Sequence, residues 1–299
     1  MSEAAAWEPV HFSRLKLLAQ SPAHYRVGHA ARKETAAMRF GTAVHVLALR
    51  GEIVVFDGER AGNRWAAFKE LVAGAEPYVY DGPHRGNAWK WAKEEAQGRP
   101  IVTSEDVAAA AAGRAIQGQR LAAGRYLSPI VTTAEYDVAA RVAEKVRTHA
   151  VAGELLDGMH EQPLRWDRAG RACAGTLDVM GPRRIVDLKT TTKADPEWFP
   201  HHGRKLHYHA QLDWYAGGAR ENGHITDACF IVAVETTEPH AVTAFELSER
   251  ALEAGARQTH LWLERLKGCE AADEWPEYVQ SVVPFDLPDD DFFSTLTGL

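Results

Sequence analysis

A chain of 299 residues with 45% apolar and 25% charged side chains can bury a large core, and its composition is that of a globular protein. No apolar run reaches the length of a membrane span, and the opening "MSEAAAWEPV" has no basic, cleavable leader pattern, so a cytoplasmic protein with no membrane partner is expected. The net charge of −7 is concentrated at the end: residues 270–299 hold eight acids and no Lys or Arg, leaving 34 bases against 33 acids elsewhere. A polyanionic partner is therefore permitted.

In chain order, "HFSRLKLLAQSPAHYRVGHAARK" predicts two short helices broken at Ser21-Pro22, with Arg14, Lys16, Arg26, Arg32 and Lys33 spread over them. "MRFGTAVHVLALRG" predicts a third helix, ended by Gly51 and carrying Arg39 and His45. Residues 52–103 read as irregular, with short strands near Ile53–Phe56 and Tyr78–Tyr80 and helical pieces over 64–73 and 86–96. Ser104 opens an Ala-rich helix with Glu105 and Asp106 in its first turn, and another helix is expected over 136–156. Three strands follow, 160–167, 172–180 and 184–190, separated by the turn signals "DRAG" and "GPRR". Helices over 195–200 and 205–222, strands over 227–235 and 240–247 and a long helix from Ser248 to about 267 complete the pattern. The fold class is α/β: a mixed central sheet flanked by helices, with a helical N-terminal half. One domain is expected over 1–270 and an acidic tail over 271–299.

The stretch "IVDLKTTT", 185–192, carries an acid and a base inside an apolar strand. Strand side chains alternate, so Asp187 and Lys189 share a face opposite Val186 and Leu188. A four-residue loop from Gly181 to Arg184, with Pro182 unsuited to a primed hairpin, pairs Met180 with Ile185 and therefore Asp178 with Asp187. A similar loop from Asp167 to Gly170 pairs Trp166 with Arg171 and Glu161 with Thr176, leaving Glu161 diagonal to Asp178. Three carboxylates then converge where one lysine cannot balance them. A hard divalent cation can, and Mg²⁺ suits an oxygen-rich site best. The plainer alternative is a set of acids on the solvent face of an antiparallel sheet.

Asp178, an eight-residue gap and Asp187-Leu188-Lys189 resemble the PD-(D/E)XK nuclease signature. "HYHAQLDWYAGG" adds Gln211 and Tyr215, similar to the QxxxY motif of the RecB-like branch, and "GTAVH" resembles the helix that supplies a histidine, here His45. "SPAHYR" and "EWPEY" resemble the exonuclease VIII-type subgroup of phages and prophages. The literal "PD" is absent, since Leu177 precedes Asp178, and three scattered cysteines do not match the four that hold an iron–sulfur cluster in some relatives.

The resemblance implies a restriction-endonuclease-like core in which Asp178, Asp187 and the Leu188 carbonyl hold Mg²⁺, with Mn²⁺ a substitute. Glu161 and His45 complete or flank the metal shell, and Lys189 orients and helps deprotonate the attacking water. It further implies a 5′ to 3′ exonuclease acting on double-stranded DNA in recombination, as a ring-like homo-oligomer beside a single-strand annealing protein. An endonuclease of the same fold and an inert DNA-binding or assembly protein are the alternatives.

From the residues themselves, Tyr208, Gln211, Leu212 and Tyr215 fall at i, i+3, i+4 and i+7 on one helical face, able to reach DNA, orient the site or pack on the sheet. His201, His202, His207 and His209 crowd into nine residues but lack an HExxH pattern or a cysteine partner. Arg14, Lys16, Arg26, Arg32, Lys33 and Arg39 are candidates for phosphate contacts, or a solvated helix face.

Overall fold

The computed structural model describes residues 8–28, 35–49, 51, 53–112, 130–279 and 281–284. The N-terminal segment forms β1 (Val10–His11), α1 (Phe12–Leu15), a 3₁₀ turn (Lys16–Ala19) and α2 (Pro22–Val27). The break falls at Ser21-Pro22 as expected: the Ser21 hydroxyl accepts the His24 N–H at 3.3 Å, and Pro22 takes the first helical position, where its missing N–H costs nothing. Helix α3 (Ala36–Ala48) follows, with Thr35 as its cap.

The stretch over 52–103 contains β2 (Val54–Phe56), α4 (Gly62–Val72), β3 (Tyr78–Val79), α5 (Gly86–Ala96) and β4 (Ile101–Val102), and the helix expected from Ser104 follows as α6 (104–112). With β5 (Ile130–Thr132), these strands pair in parallel twos, β2 with β5 and β3 with β4, around buried Phe56, Phe68, Leu71 and Val102.

The helix expected over 136–156 is two helices. A capping box, in which Thr132 and Glu135 satisfy each other's backbone N–H groups, starts α7 (Thr133–Thr148) earlier, and His149 both ends it and caps α8 (Ala150–Leu155). The three central strands are β6 (Met159–Arg168), β7 (Arg171–Gly181) and β8 (Arg184–Thr191). Then come α9 (Trp198–Lys205), α10 (Tyr208–Glu221), β9 (Ala228–Glu235), β10 (Val242–Glu246) and α11 (Glu249–Ala272).

The main sheet is mixed, in the order β1-β7-β8-β9-β10 with β6 also on β7. β8 and β9 are parallel, joined through α9 and α10, and the β6–β7–β8 run is antiparallel. Helices cover both faces. Leu177, Ile185 and Ile231 pack with Leu15, Leu18, Leu212, Trp214, Leu263 and Leu266. On the other face Val179, Val186, Leu188 and Val232 pack with Val44, Val142 and Val146 of α3 and α7. Each such fully buried side chain contributes roughly 1.5–3 kcal/mol. Among the described residues no helix is long and apolar enough to cross a membrane.

Both hairpin loops are tighter than the sequence suggests. Gly181 pairs with Arg184, leaving only Pro182-Arg183, with Arg183 in the left-handed region at φ 59° and Met180 still opposite Ile185. Arg168 pairs with Arg171, leaving Ala169 and Gly170 at φ 55° and 74°, the two positive values of a primed turn. Trp166 therefore faces Cys173 rather than Arg171, and Pro163 faces Thr176 where Glu161 was expected. The error is two residues, which preserves the face of every side chain.

Candidate active site

β7 and β8 part company at the acids. β6 runs along one edge of β7 from Arg171 to Met180, so β8 and β1 share the other. Among the described residues β8 meets β7 only at Val179–Gly181, and β1 meets it only at Cys173 and Ala174. Asp178 lies where β8 has diverged, and its Oδ2 accepts the Leu188 N–H at 2.8 Å in place of a strand partner. Asp187 and Lys189 point to the α10 side, and the Lys189 ammonium contacts Asp187 Oδ2.

Glu161 sits between the pairs His160–Val179 and Gln162–Leu177, hence level with Asp178 rather than diagonal to it. It adopts φ 53°, which for a non-glycine residue inside a strand costs about 1–3 kcal/mol. That strain falls where its carboxylate turns to a histidine from another element: His45 Nδ1 lies 3.2 Å from Glu161 Oε1, and Nε2 lies 2.8 Å from Asp178 Oδ2. His45 is delivered by α3, which crosses close to β8. A Cβ on Gly41, one turn before His45, would stand 2.9 Å from Thr190 Oγ1. Gly41 is what lets the helix approach.

The electrostatics follow from burial and charge. Burial depresses the His45 imidazolium, but Asp178 and Glu161 outweigh it and push the histidine up to about 10. Burial would raise Asp178, yet His45, then Lys189 and the Leu188 N–H, hold it below the usual carboxylate range. Asp187 is pushed up to about 6 chiefly by burial and also by Asp178, with Lys189 opposing. Burial disfavours the Lys189 ammonium, but the two aspartates overcome it and raise its pKa. Asp187 Oδ2 is wholly removed from solvent, and the Lys189 ammonium is its partner.

The expectation that three carboxylates surround one point is met only in part. Among the described residues no group of three or more His, Cys, Asp or Glu side chains is set as a ready metal cage. Like charges repel, and each acid turns to an internal cation instead, Asp178 and Glu161 to His45 and Asp187 to Lys189.

The α10 residues stand over this fork. Tyr215 is bonded to Gln211 and raised above the ordinary phenol range by burial and then by Asp187 and Asp178. It lies over Gly175 of β7, where a Cβ would come within 2.5 Å of its Cε1. Tyr208 presents its ring to Lys189, whose Nζ is 5.1 Å from the ring centroid. Leu212 and Trp214 are buried in the core. Gly41, Gly175 and Thr190 were not singled out from sequence. A glycine inside a strand is itself a signal of close approach, and Gly175 could have been found that way.

The four histidines do not converge on one point, although the His207 and His209 rings are neighbours at 6.5 Å. His202 stacks on Trp198 at 4.7 Å, while His207 meets Trp262 edge-on at 5.2 Å. Arg14 lies over the Tyr25 ring at 4.7 Å, and Arg26 lies over Trp275 at 5.5 Å and 3.7 Å from Asp273. Arg32, Lys33 and the tail from residue 285 onward lie outside the described residues. "SPAHYR" and "EWPEY", far apart in sequence, pack together: Tyr25 and Trp275 stack at 6.0 Å, and the Ala23 N–H donates to the Pro276 carbonyl at 3.2 Å.

A family model described as "PDDEXK-like domain of unknown function (DUF3799)" matches residues 124–283, which include β6, β7, β8 and α10. The chain belongs to this PDDEXK-like family. No curated protein matches it. Among solved structures, a "Putative exonuclease" from Eubacterium rectale overlays with a TM-score of 0.51 at 12% identity, covering 99% of this chain and 98% of that one. At that identity the likeness establishes a shared fold. A second structure, of a protein named SSO0001, has a TM-score of 0.25 at 15% identity over 68% of this chain and 88% of that one, and carries no argument.

Proposed function

We propose that this PDDEXK-like protein is a Mg²⁺-dependent deoxyribonuclease that hydrolyses phosphodiester bonds of duplex DNA, working from its ends in the 5′ to 3′ direction. The observation that carries the reading is the fork: two aspartates and a lysine meet where β7 and β8 separate, with Leu188 between them and Glu161 and His45 behind. The donor set fits a hard cation. It is rich in carboxylate oxygen, and Asp178 and Asp187 are both buried beside the Leu188 backbone with Lys189 the ammonium that faces them. Asp178, Asp187 and the Leu188 carbonyl would hold Mg²⁺ or Mn²⁺, with Glu161 and His45 completing or flanking the shell. Such an ion, when bound, supplies a Lewis acid for the phosphoryl oxygen and lowers the pKa of a water.

The chain's own groups do the rest. Lys189 orients the attacking water and steadies charge on the phosphate, and Asp187 holds the ammonium in place. His45 holds Asp178 in its ionised form and stands between it and Glu161. Gln211 and Tyr215 close the α10 side of the fork, where they order the site or meet the DNA backbone.

Action from ends, ring assembly and a recombination role beside an annealing protein rest on the resemblance to exonuclease VIII-type enzymes, and a cytoplasmic setting rests on the composition of the sequence. The "Putative exonuclease" overlay agrees with end-directed cleavage. The test is incubation with linear and covalently closed circular duplex of one sequence, with Mg²⁺ and with EDTA. Linear DNA should be consumed to mononucleotides only with Mg²⁺, and circles should persist. Circles nicked as fast as linear DNA is digested would make the protein an endonuclease, and no cleavage of either would make it a binding or assembly protein.

A further inference from the structure

We propose that Tyr208 is a positioning residue for Lys189, its ring face serving as the plate that holds the ammonium over the fork. The inference deepens the nuclease reading and rests on it. A lysine carries its charge on a flexible four-carbon stem, so one contact does not fix it. In this site two contacts do. Asp187 touches the ammonium from one side, and the Tyr208 ring lies 5.1 Å from Nζ on another, inside the range at which an aromatic face attracts a cation. The two restraints are not equivalent. Asp187 is also a candidate ligand for the metal, and an oxygen shared with a divalent ion holds the ammonium less firmly. The ring has no such second duty.

The ring is itself fixed. Phe199 lies 6.0 Å away, centroid to centroid, and stacks in turn on Phe245 of β10 at 4.8 Å. Gly203 of α9 backs the other side, where a Cβ would stand 3.1 Å from Tyr208 Cδ2. His207, at φ 61°, breaks α9 from α10 so that the new helix begins with Tyr208 turned to the sheet. The histidine-rich stretch 201–209 thus gains an explanation without a metal: its Gly203, His207 and Tyr208 build and aim an aromatic support. Tyr208 stands one turn before Gln211 on the same helical face, so one rigid helix carries both parts of the site.

The test replaces Tyr208 with Phe and with Phe bearing one, two or three ring fluorines. These keep the ring's shape and deplete its negative face. For cleavage of linear duplex DNA with Mg²⁺, log kcat should fall stepwise along the series with KM unchanged. Tyr208→Leu should lose about tenfold in kcat, the effect of a desolvated cation–π contact, and Tyr208→Phe should recover most of it. Equal rates along the fluorinated series would reduce Tyr208 to packing and overturn the proposal. A second readout needs no catalysis: the ¹⁹F resonance of 4-fluorophenylalanine at position 208 should shift on Lys189→Met. An unmoved resonance would show that the ammonium does not rest on the ring. A wild type that cleaves nothing, with the ¹⁹F shift still seen in the labelled protein, would sink the nuclease reading and leave the contact standing.

Discussion

Lys189 is the residue whose loss separates chemistry from binding. Its ammonium touches Asp187, and under the proposed mechanism it acts on the attacking water, so Lys189→Ala should reduce cleavage about 10²–10⁴-fold while duplex DNA still binds with near-normal affinity in a gel-shift titration. Turnover close to wild type would make the lysine only a counter-charge. Asp187 supplies a pH dependence whose sign is fixed. Its folded pKa, about 6, lies above the ordinary aspartate value, so the stability it contributes is complete below that ordinary value and is lost as pH rises through about 6. Ionised Asp187 thus burdens the metal-free protein at neutral pH, and a divalent cation relieves that burden. The Mg²⁺-induced rise in Tm should therefore be larger at pH 7.5 than at pH 5, and equal increments would contradict the assignment. His45 runs the other way: raised to about 10 by its two acids, it stabilises fully below the ordinary histidine value and loses that contribution as pH climbs through about 10.

Among the elements, α3 and β7 set the spacing of the site through two glycines. Gly41→Val would drive side-chain atoms into Thr190 and lift His45 from Glu161 and Asp178. The expected cost is about 1–3 kcal/mol in chemical denaturation, with a loss of activity beyond what that destabilisation explains. Gly175→Ala places a carbon 2.5 Å from the Tyr215 ring and should likewise displace the Gln211–Tyr215 pair. The strands bearing Asp178, Asp187 and Lys189 were legible in sequence because alternation and turn residues are local signals. The β6–β7 register was misjudged by two residues because Ala169-Gly170 makes a primed turn that "DRAG" does not advertise, since alanine seldom takes positive φ. Glu161 kept its face because the slip was even. The divergence of β8 from β7 beyond Val179 was not legible at all: it depends on β1, more than 160 residues upstream, taking the vacated edge at Cys173 and Ala174.

For the whole molecule, two segments far apart in sequence, α2 and residues 273–278, meet. They are joined by the Tyr25–Trp275 stack and the Ala23–Pro276 hydrogen bond, so "SPAHYR" and "EWPEY" form one packed unit. A chain truncated after Pro284 keeps these contacts and should retain Mg²⁺-dependent cleavage, assayed on linear duplex. Loss of cleavage would give the acidic tail a part in the chemistry. The central claim is that the forked-strand acids make a metal-dependent nuclease. Its most direct measurement is the rate of nucleotide release from end-labelled linear duplex DNA with Mg²⁺, for the wild type and for Asp187→Asn, with the fold of each confirmed by its melting curve. The account predicts release by the wild type that EDTA abolishes, and a folded Asp187→Asn protein with cleavage at background. Undiminished release by Asp187→Asn, or release that persists in EDTA, would contradict it.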